Sequence, residues 1–347
     1  MISSISVFGA EQGADRSYRI PALLALPDGG LCAFCEARSA TGGDWEPMSL
    51  SMRRRGADGE WSEESIIAVN EHGPVHNPAP FISGGEVHLL YGMDYARFYH
   101  VRSRDGGRSF DAPQDITYAF ESFRGRNVPG GTDWHCIAAG PGGVTRLESG
   151  RIVAPVWIGG LRDPHSHDPC QAATIYSDDG GWSWRAGEVL DMFELGPSES
   201  QAAALPLGAP AQVVMSLRNR GAQRRRAFAW SQDGAHWTRP RLADDMTEIN
   251  CQGSLIRRGN LLLATSPQPE GDALMCRERR RLTLKVSRDW GRTWSRGKVL
   301  VEGTAGYSAL ALDGSGRLLC MYETWEDASR MRLELLTITA DEFEDMR

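Results

Sequence analysis

Arginine supplies nearly all the positive charge of this chain: of 38 basic residues, only Lys285 and Lys298 are lysine. A single arginine therefore carries no signal by type, and its context has to select it. Arg19 is such a case. It stands in Ser17-Tyr18-Arg19-Ile20-Pro21, at the entry to an apolar, strand-like run where a solvated side chain is hard to place. Across the next glycine turn the run closes with Glu36-Ala37-Arg38, then Thr41-Gly42-Gly43-Asp44-Trp45. Guanidiniums so placed could grip an anion in a fixed orientation. A carboxyl beside an indole is expected to lose water and rise in pKa, which suits an acid catalyst. His165-Ser166-His167-Asp168 with Cys170 carries metal-ligand types at close spacing, but it lies in a proline-flanked loop and no metal is expected there.

These residues need a frame, and the frame is repetitive. A short apolar segment, a Gly-containing turn and a second apolar segment recur six times. The copies begin at Pro21, Pro78, Gly142, Ser200, Gln252 and Gly306, and each reads as a β-hairpin. Between hairpins lies a second motif, S-x-D-x-G-x-[ST]-[WF], complete at Ser103, Ser177 and Ser287. It is shortened at Ser231 and degenerate at Gly56. Asp accepts backbone N–H bonds, Gly supplies a positive φ, and the aromatic packs beneath the turn. This is the Asp-box, expected here as a structural clip. Two hairpin strands and two strands flanking the clip make a four-stranded unit of roughly 50–60 residues, the size of a propeller blade. Six units predict an all-β, six-bladed β-propeller spanning residues 1–347, closed by pairing Ile5–Phe8 near Leu333–Ile338.

Composition narrows the function. The 347 residues carry 45 acidic against 38 basic side chains, a net charge of −7, which disfavours nucleic acid and anionic membranes as partners. No apolar run is long enough to span a bilayer, and the N-terminus shows no signal peptide. Seven scattered cysteines suggest reduced thiols and a cytoplasmic setting. Cys32-x-x-Cys35 lies in an apolar strand-like run and makes a poor redox motif. Asn77-Pro78 reads as a turn that starts a strand, and the acidic C-terminus, from Ala340, as a solvated end.

Arg-Ile-Pro in the first unit, an Asp-bearing loop after it and the Asp-boxes together resemble the exo-α-sialidase (neuraminidase) family of bacterial and animal type. The likeness runs from about Tyr18 to Glu323 and implies the same six-bladed fold. It implies that Arg19, Arg218 and Arg279 hold a substrate carboxylate. Arg220 is the alternative to Arg218, and Arg277, Arg280 and Arg281 compete with Arg279. It further implies Asp44 as general acid/base, with Glu46 the alternative, Tyr307 as nucleophile, Glu199 as its base and Glu323 as the support of Arg19. Arg38 would line the pocket. A phenol nucleophile makes sense because the anomeric carbon of a sialic acid carries a carboxylate that repels an anionic attacker. The loop of His167, with Trp134 and His135, is expected to border the pocket and meet the leaving group. The expected activity is retaining hydrolysis of terminal α-linked sialic acids from sialylated glycans through a tyrosyl intermediate, by a monomer that needs no cofactor. Two alternatives stay open: a related 2-keto-3-deoxy sugar acid (deaminated sialic or octulosonic acid) as substrate, and a non-catalytic binding propeller.

Overall fold

Apolar runs broken by glycine turns fold as antiparallel sheets. A computed structural model describes residues 4–9, 16–39, 42–56, 59–123, 134–160, 166–190, 192–270, 278–327 and 330–346. Among them, strands β1–β25 form six sheets. In chain order the first five are β2–β5 (Arg16–Asn70), β6–β9 (Val75–Asp115), β10–β14 (Cys136–Val189), β15–β18 (Ser200–Thr247) and β19–β22 (Ser254–Thr304). The sixth joins β23 (Ser308–Leu312), β24 (Leu318–Thr324) and β25 (Arg332–Ile338) to the N-terminal β1 (Ser4–Phe8). The innermost strands touch one another in sequence around the ring, and β23 returns to β2. The protein is a six-bladed β-propeller.

Closure follows the expected pairing: Ile5 lies opposite Leu335 and Phe8 opposite Leu333, so the first strand becomes the outer edge of the last blade. All six anticipated hairpins are inner strand pairs: β2 (Arg16–Ala25) with β3 (Leu31–Ser39), β6 (Val75–Ser83) with β7 (Glu86–Met93), β11 (Thr145–Arg146) with β12 (Ile152–Gly159), β15 (Ser200–Ala204) with β16 (Val213–Leu217), β19 (Ser254–Arg258) with β20 (Leu261–Pro267), and β23 with β24. The third blade differs in detail. Its innermost position is shared by β10 and the two-residue β11, both paired to β12, and β10 (Cys136–Ala139) was not foreseen.

Inner strands are apolar on both faces because a blade packs against a neighbour on each side. Every residue of β12 and of β24 is buried, whereas the outer β5 (Ser65–Asn70) is exposed or half-buried. The core is accordingly divided into layers between blades. Phe34, Leu50 and Leu89 lie between the first two blades, and Phe8, Leu31 and Leu333 lie across the closure. Each such side chain contributes roughly 1.5–3 kcal/mol by leaving water. Cys32 and Cys35 are buried in β3 as free thiols.

The Asp-boxes clip the third strand of a blade to the fourth. In the second blade Ser103 Oγ donates to Asp105 at 2.7 Å, and Asp105 accepts the main-chain N–H of Arg108 and Ser109, each at 2.9 Å. Asp179, Asp233 and Asp289 repeat the arrangement, including the shortened copy. The C-terminal segment departs from expectation. Phe343 is fully buried against the last two blades, and Glu342 and Glu344 pair with Lys298 and Arg258, so this end is docked rather than solvated.

Candidate active site

The polar centre is assembled at the ends of inner strands, where backbone irregularities aim side chains inward. In β2 the register slips between Arg19 and Ala22, and Ile20 takes φ 56°. Pro21 cannot donate to the ladder, and the bulge turns Arg19 toward the ring axis. The same device recurs one blade on, where Asn77 takes φ 54° before Pro78 and the register slips between His76 and Ala79. Such conformations cost of order 1–3 kcal/mol in non-glycine residues and persist where the surroundings enforce them.

Tyr307 precedes β23 and is main-chain bonded to Glu323 of β24, whose N–H donates to Tyr307 O at 2.9 Å. The Glu323 carboxylate is fully buried. It accepts from Arg19 Nε at 3.2 Å, from Ile20 N at 2.9 Å and from Tyr307 N at 3.1 Å. Gly306 is needed to make room, because a Cβ there would sit 2.3 Å from the Glu323 carboxylate. Burial pulls this carboxyl up, but Arg19 and Arg279 outweigh it and hold it below its ordinary value.

Glu199 and Arg218 meet because β15 and β16 continue their pairing past their ends, with Arg218 N donating to Glu199 O at 3.0 Å. Their side chains form a buried ion pair. Both engage Tyr307: Arg218 Nη1 donates to the phenol oxygen at 2.7 Å, and the phenol donates to Glu199 Oε2 at 2.6 Å. Burial raises the phenol pKa, and Glu199 adds to it against the lowering by Arg218, so Tyr307 rests neutral. Its proton already points at a carboxylate.

Three guanidiniums surround this phenol. The Cζ atoms of Arg19, Arg218 and Arg279 lie 5.3, 5.8 and 5.1 Å from the centroid of the Tyr307 ring. Of the competitors, Arg280 and Arg281 pair with Glu278 and Glu302 instead, and Arg277 lies outside the described residues. Arg220 also reaches the cavity, but it is tied to Asp168 at 2.6 Å.

Asp44 sits between β3 and β4 (Met48–Arg55) and accepts from Arg38 Nη1 at 2.6 Å; Arg19 Nη1 lies 3.9 Å away. Here the sequence expectation was wrong. Burial does raise this carboxyl, but Arg38 and then Arg19 override it and bring it down to about 2. The indole of Trp45 stacks on His167 at 4.9 Å and lies tilted against Tyr95 at 4.7 Å. Arg38 is buried and gripped by Glu36, which also accepts from Asn77 N at 2.9 Å. Glu46 is exposed and does not line the cavity.

The cavity has a volume of about 220 Å³ and two unlike sides. Blades one, four, five and six supply Arg19, Arg218, Arg279, Asp44, Glu199 and Tyr307. Blades two and three supply Asn77, Tyr95, Trp157 and His167. Tyr95 and His167 each lie within 6 Å of Trp157, forming an uncharged wall. Burial lowers the His167 pKa despite the nearby Asp44. Trp134 is not part of this wall: it packs in the core between blades two and three, and His135 does not line the cavity. His165 lies outside the described residues, and no group of three potential metal ligands occurs among the described ones.

Sequence reasoning overlooked Glu36, Asn77, Tyr95 and Trp157. Two of these had a readable sign. Glu36 and Arg38 are two apart on a strand and share a face, and Asn77-Pro78 stands in the second blade where Ile20-Pro21 stands in the first. Tyr95 and Trp157 come from segments with no distinguishing pattern.

A model of the BNR repeat-like domain matches residues 13–320. Sialidase-3 of Bos taurus is 27% identical over 406 aligned residues, covering 96% of this chain and 92% of that protein. A sialidase of Micromonospora viridifaciens is 26% identical, covering 88% of this chain and 50% of that longer protein. Among solved structures, Hadza microbial sialidase Hz136 superposes with TM-score 0.77 at 21% identity, covering 98% of this chain and 69% of that one. The intramolecular trans-sialidase of Ruminococcus gnavus superposes with TM-score 0.74 at 13% identity, covering 98% of both chains. At these identities the structural likeness speaks for the fold.

Proposed function

The chain belongs to the BNR repeat-like domain family, and we propose that it is a retaining exo-α-sialidase acting through a covalent tyrosyl intermediate. The observation that carries this reading is the convergence of three guanidiniums on one phenol that donates to a carboxylate. The names of relatives that align over most of the chain agree with it.

On this reading the substrate carboxylate binds among Arg19, Arg218 and Arg279, and the sugar body lies against the Tyr95–Trp157–His167 wall. Three cations around a sugar are purposeful only if it bears an anionic group, which in a sialic acid is its carboxylate, and charge-assisted pairs fix orientation as well as affinity. Tyr307 then attacks the anomeric carbon while Glu199 takes its proton across the existing hydrogen bond. A neutral attacker avoids repulsion by the adjacent carboxylate, and Arg218 steadies the oxygen as it loses its proton.

Asp44 delivers a proton to the departing oxygen and later draws one from water to release the sugar, with retention. Its depressed pKa in the free protein fits this role once the substrate is counted. The incoming carboxylate offsets Arg19, and the sugar displaces water from around Asp44, so both changes raise the pKa on binding. Glu323 keeps Arg19 in place, and Glu36 does the same for Arg38.

The test is incubation of the purified protein with aryl α-glycosides of sialic, deaminated sialic and octulosonic acid in parallel, from pH 4 to 8, with product analysis. Release of free α-sialic acid as first product supports the proposal. Release of a 2,7-anhydro product would instead indicate intramolecular transfer. No release from any of the three would overturn it and leave a binding propeller.

A further inference from the structure

Two of the three arginines around Tyr307 share a support that the mechanism above does not use. Asn250 lies between β18 (Arg241–Thr247) and β19 (Ser254–Arg258), in the link from the fourth blade to the fifth. Its side-chain Oδ1 accepts from Arg218 Nε at 2.9 Å, and its main-chain oxygen accepts from Arg279 Nη2 at 3.3 Å. One residue thus ties a guanidinium of the fourth blade to one of the fifth.

Asn250 is itself tightly held. It adopts φ 64°, a left-handed conformation that Asn tolerates better than most side chains. Behind it lies a buried ion pair, Arg226 to Glu248 at 2.9 Å, both almost without exposure. Glu248 Oε1 accepts from Cys251 N at 2.9 Å, and Arg226 Nη1 donates to Cys251 O at 3.1 Å. Both main-chain polar atoms of the residue after Asn250 are therefore clamped by one ion pair. Arg226 is anchored in turn to Ser216 of β16, the strand that leads into Arg218, at 2.8 Å. Gly253 is needed for this packing: a Cβ there would lie 2.7 Å from Thr265 O and 3.0 Å from the Arg226 guanidinium.

A buried ion pair is weak evidence for stability, because desolvation offsets much of its attraction. It is better evidence for a geometry that must be kept. We propose that Asn250 is a positioning residue that presets Arg218 and Arg279 for the substrate carboxylate, with the Arg226–Glu248 pair fixing its backbone. This deepens the sialidase reading and rests on it for the identity of the anion. The choice of Asn has a physical reason. It supplies acceptors to two cations without a negative charge that would compete with the substrate carboxylate. An Asp there would hold Arg218 equally well and cancel part of the field.

The experiment uses two variants. Asn250→Gly tolerates the left-handed backbone, keeps the main-chain acceptor and removes the side chain with its Oδ1. Asn250→Asp keeps the acceptor and adds charge. Inhibition of aryl sialoside hydrolysis by free sialic acid, kcat and KM, thermal midpoint and a crystal structure are measured for each. Asn250→Gly is expected to fold with a thermal midpoint near that of the parent and to show Arg218 rotated away from Tyr307. Its kcat/KM is expected to fall roughly ten- to hundredfold, as for loss of a hydrogen bond to a charged group, with KM and the inhibition constant both rising. Asn250→Asp is expected to keep the Arg218 orientation yet bind sialic acid more weakly. Unchanged inhibition constants and an unmoved Arg218 in Asn250→Gly would overturn the proposal. If the parent protein neither binds nor hydrolyses sialosides, the functional reading fails, while the orientation of Arg218 in the variant crystal still decides the positioning role.

Discussion

Glu323→Gln is the perturbation whose consequences the structure specifies most fully. The carboxylate is fully buried and accepts three hydrogen bonds, from Arg19 Nε, Ile20 N and Tyr307 N. Gln preserves the shape but presents an amide donor where one of those donors arrives. One buried N–H left unpaired costs roughly 1–3 kcal/mol. Removing one partner of a fully buried ion pair costs roughly 3–5 kcal/mol, an upper bound here because Arg19 is half-buried. The two overlap, so the expected loss at pH 7 is roughly 2–4 kcal/mol, which a domain of ordinary stability survives. The pH dependence has a definite sign. The Glu323 carboxyl is held below its ordinary value in the folded protein by Arg19 and Arg279, against burial. Its contribution is therefore complete above the unfolded value near 4.3 and is lost as pH falls through the folded one. Urea unfolding of parent and variant between pH 7 and pH 3 should show a gap that is full at neutrality and narrows in acid. Because Arg19 is released as well, KM for a sialoside should rise. A gap that stays constant across this range, or a variant as stable as the parent at pH 7, would refute the reasoning.

Other outcomes follow from the same contacts. Tyr307→Phe removes the phenol between Arg218 and Glu199 and should reduce kcat/KM by roughly a thousandfold or more, while free sialic acid still binds within about tenfold of the parent by calorimetry. Asp44→Asn should spare aryl sialosides, whose leaving group needs no proton, by roughly a hundredfold relative to sialyl-lactose, and should abolish the pH limb of kcat that sialyl-lactose shows in the parent. Asp289→Ala deletes four hydrogen bonds of an Asp-box, from Ser287 Oγ, Thr293 Oγ1, Thr293 N and Arg292 N, and should lower stability by roughly 2 kcal/mol without changing kcat/KM.

The architecture was legible because a propeller repeats its grammar. Six hairpins and five traces of the Asp-box each report the same local physics, so an error in one is outvoted by the others. The closure pairing of Ile5 and Phe8 was likewise readable, since a ring must hide its free edge. The cationic half of the cavity could be traced because Arg19 stands before Ile-Pro in an apolar run, and the family resemblance that this segment opened implied Arg218, Arg279, Glu199 and Tyr307. The opposite wall could not. Tyr95 and Trp157 look in sequence like any buried aromatic, and only the ring geometry turns them toward the cavity. The depressed Asp44 carboxyl was misjudged for a related reason. Its neighbour in sequence is an indole, but its neighbours in space are Arg38 and Arg19, and a nearby cation outweighs a nearby ring. The acidic C-terminus was misread because one buried residue, Phe343, decides its fate among charged neighbours.

The covalent step is tested most directly by mass spectrometry of the protein treated with a 3-fluorosialosyl fluoride, a substrate whose fluorine slows release of the glycosyl-enzyme. The mechanism requires a stoichiometric mass increase of one fluorosialosyl unit, mapped by proteolysis to Tyr307 and absent from Tyr307→Phe. A label on Asp44, Glu199 or another carboxylate, or turnover of this reagent with no label on Tyr307 at any time, would contradict it.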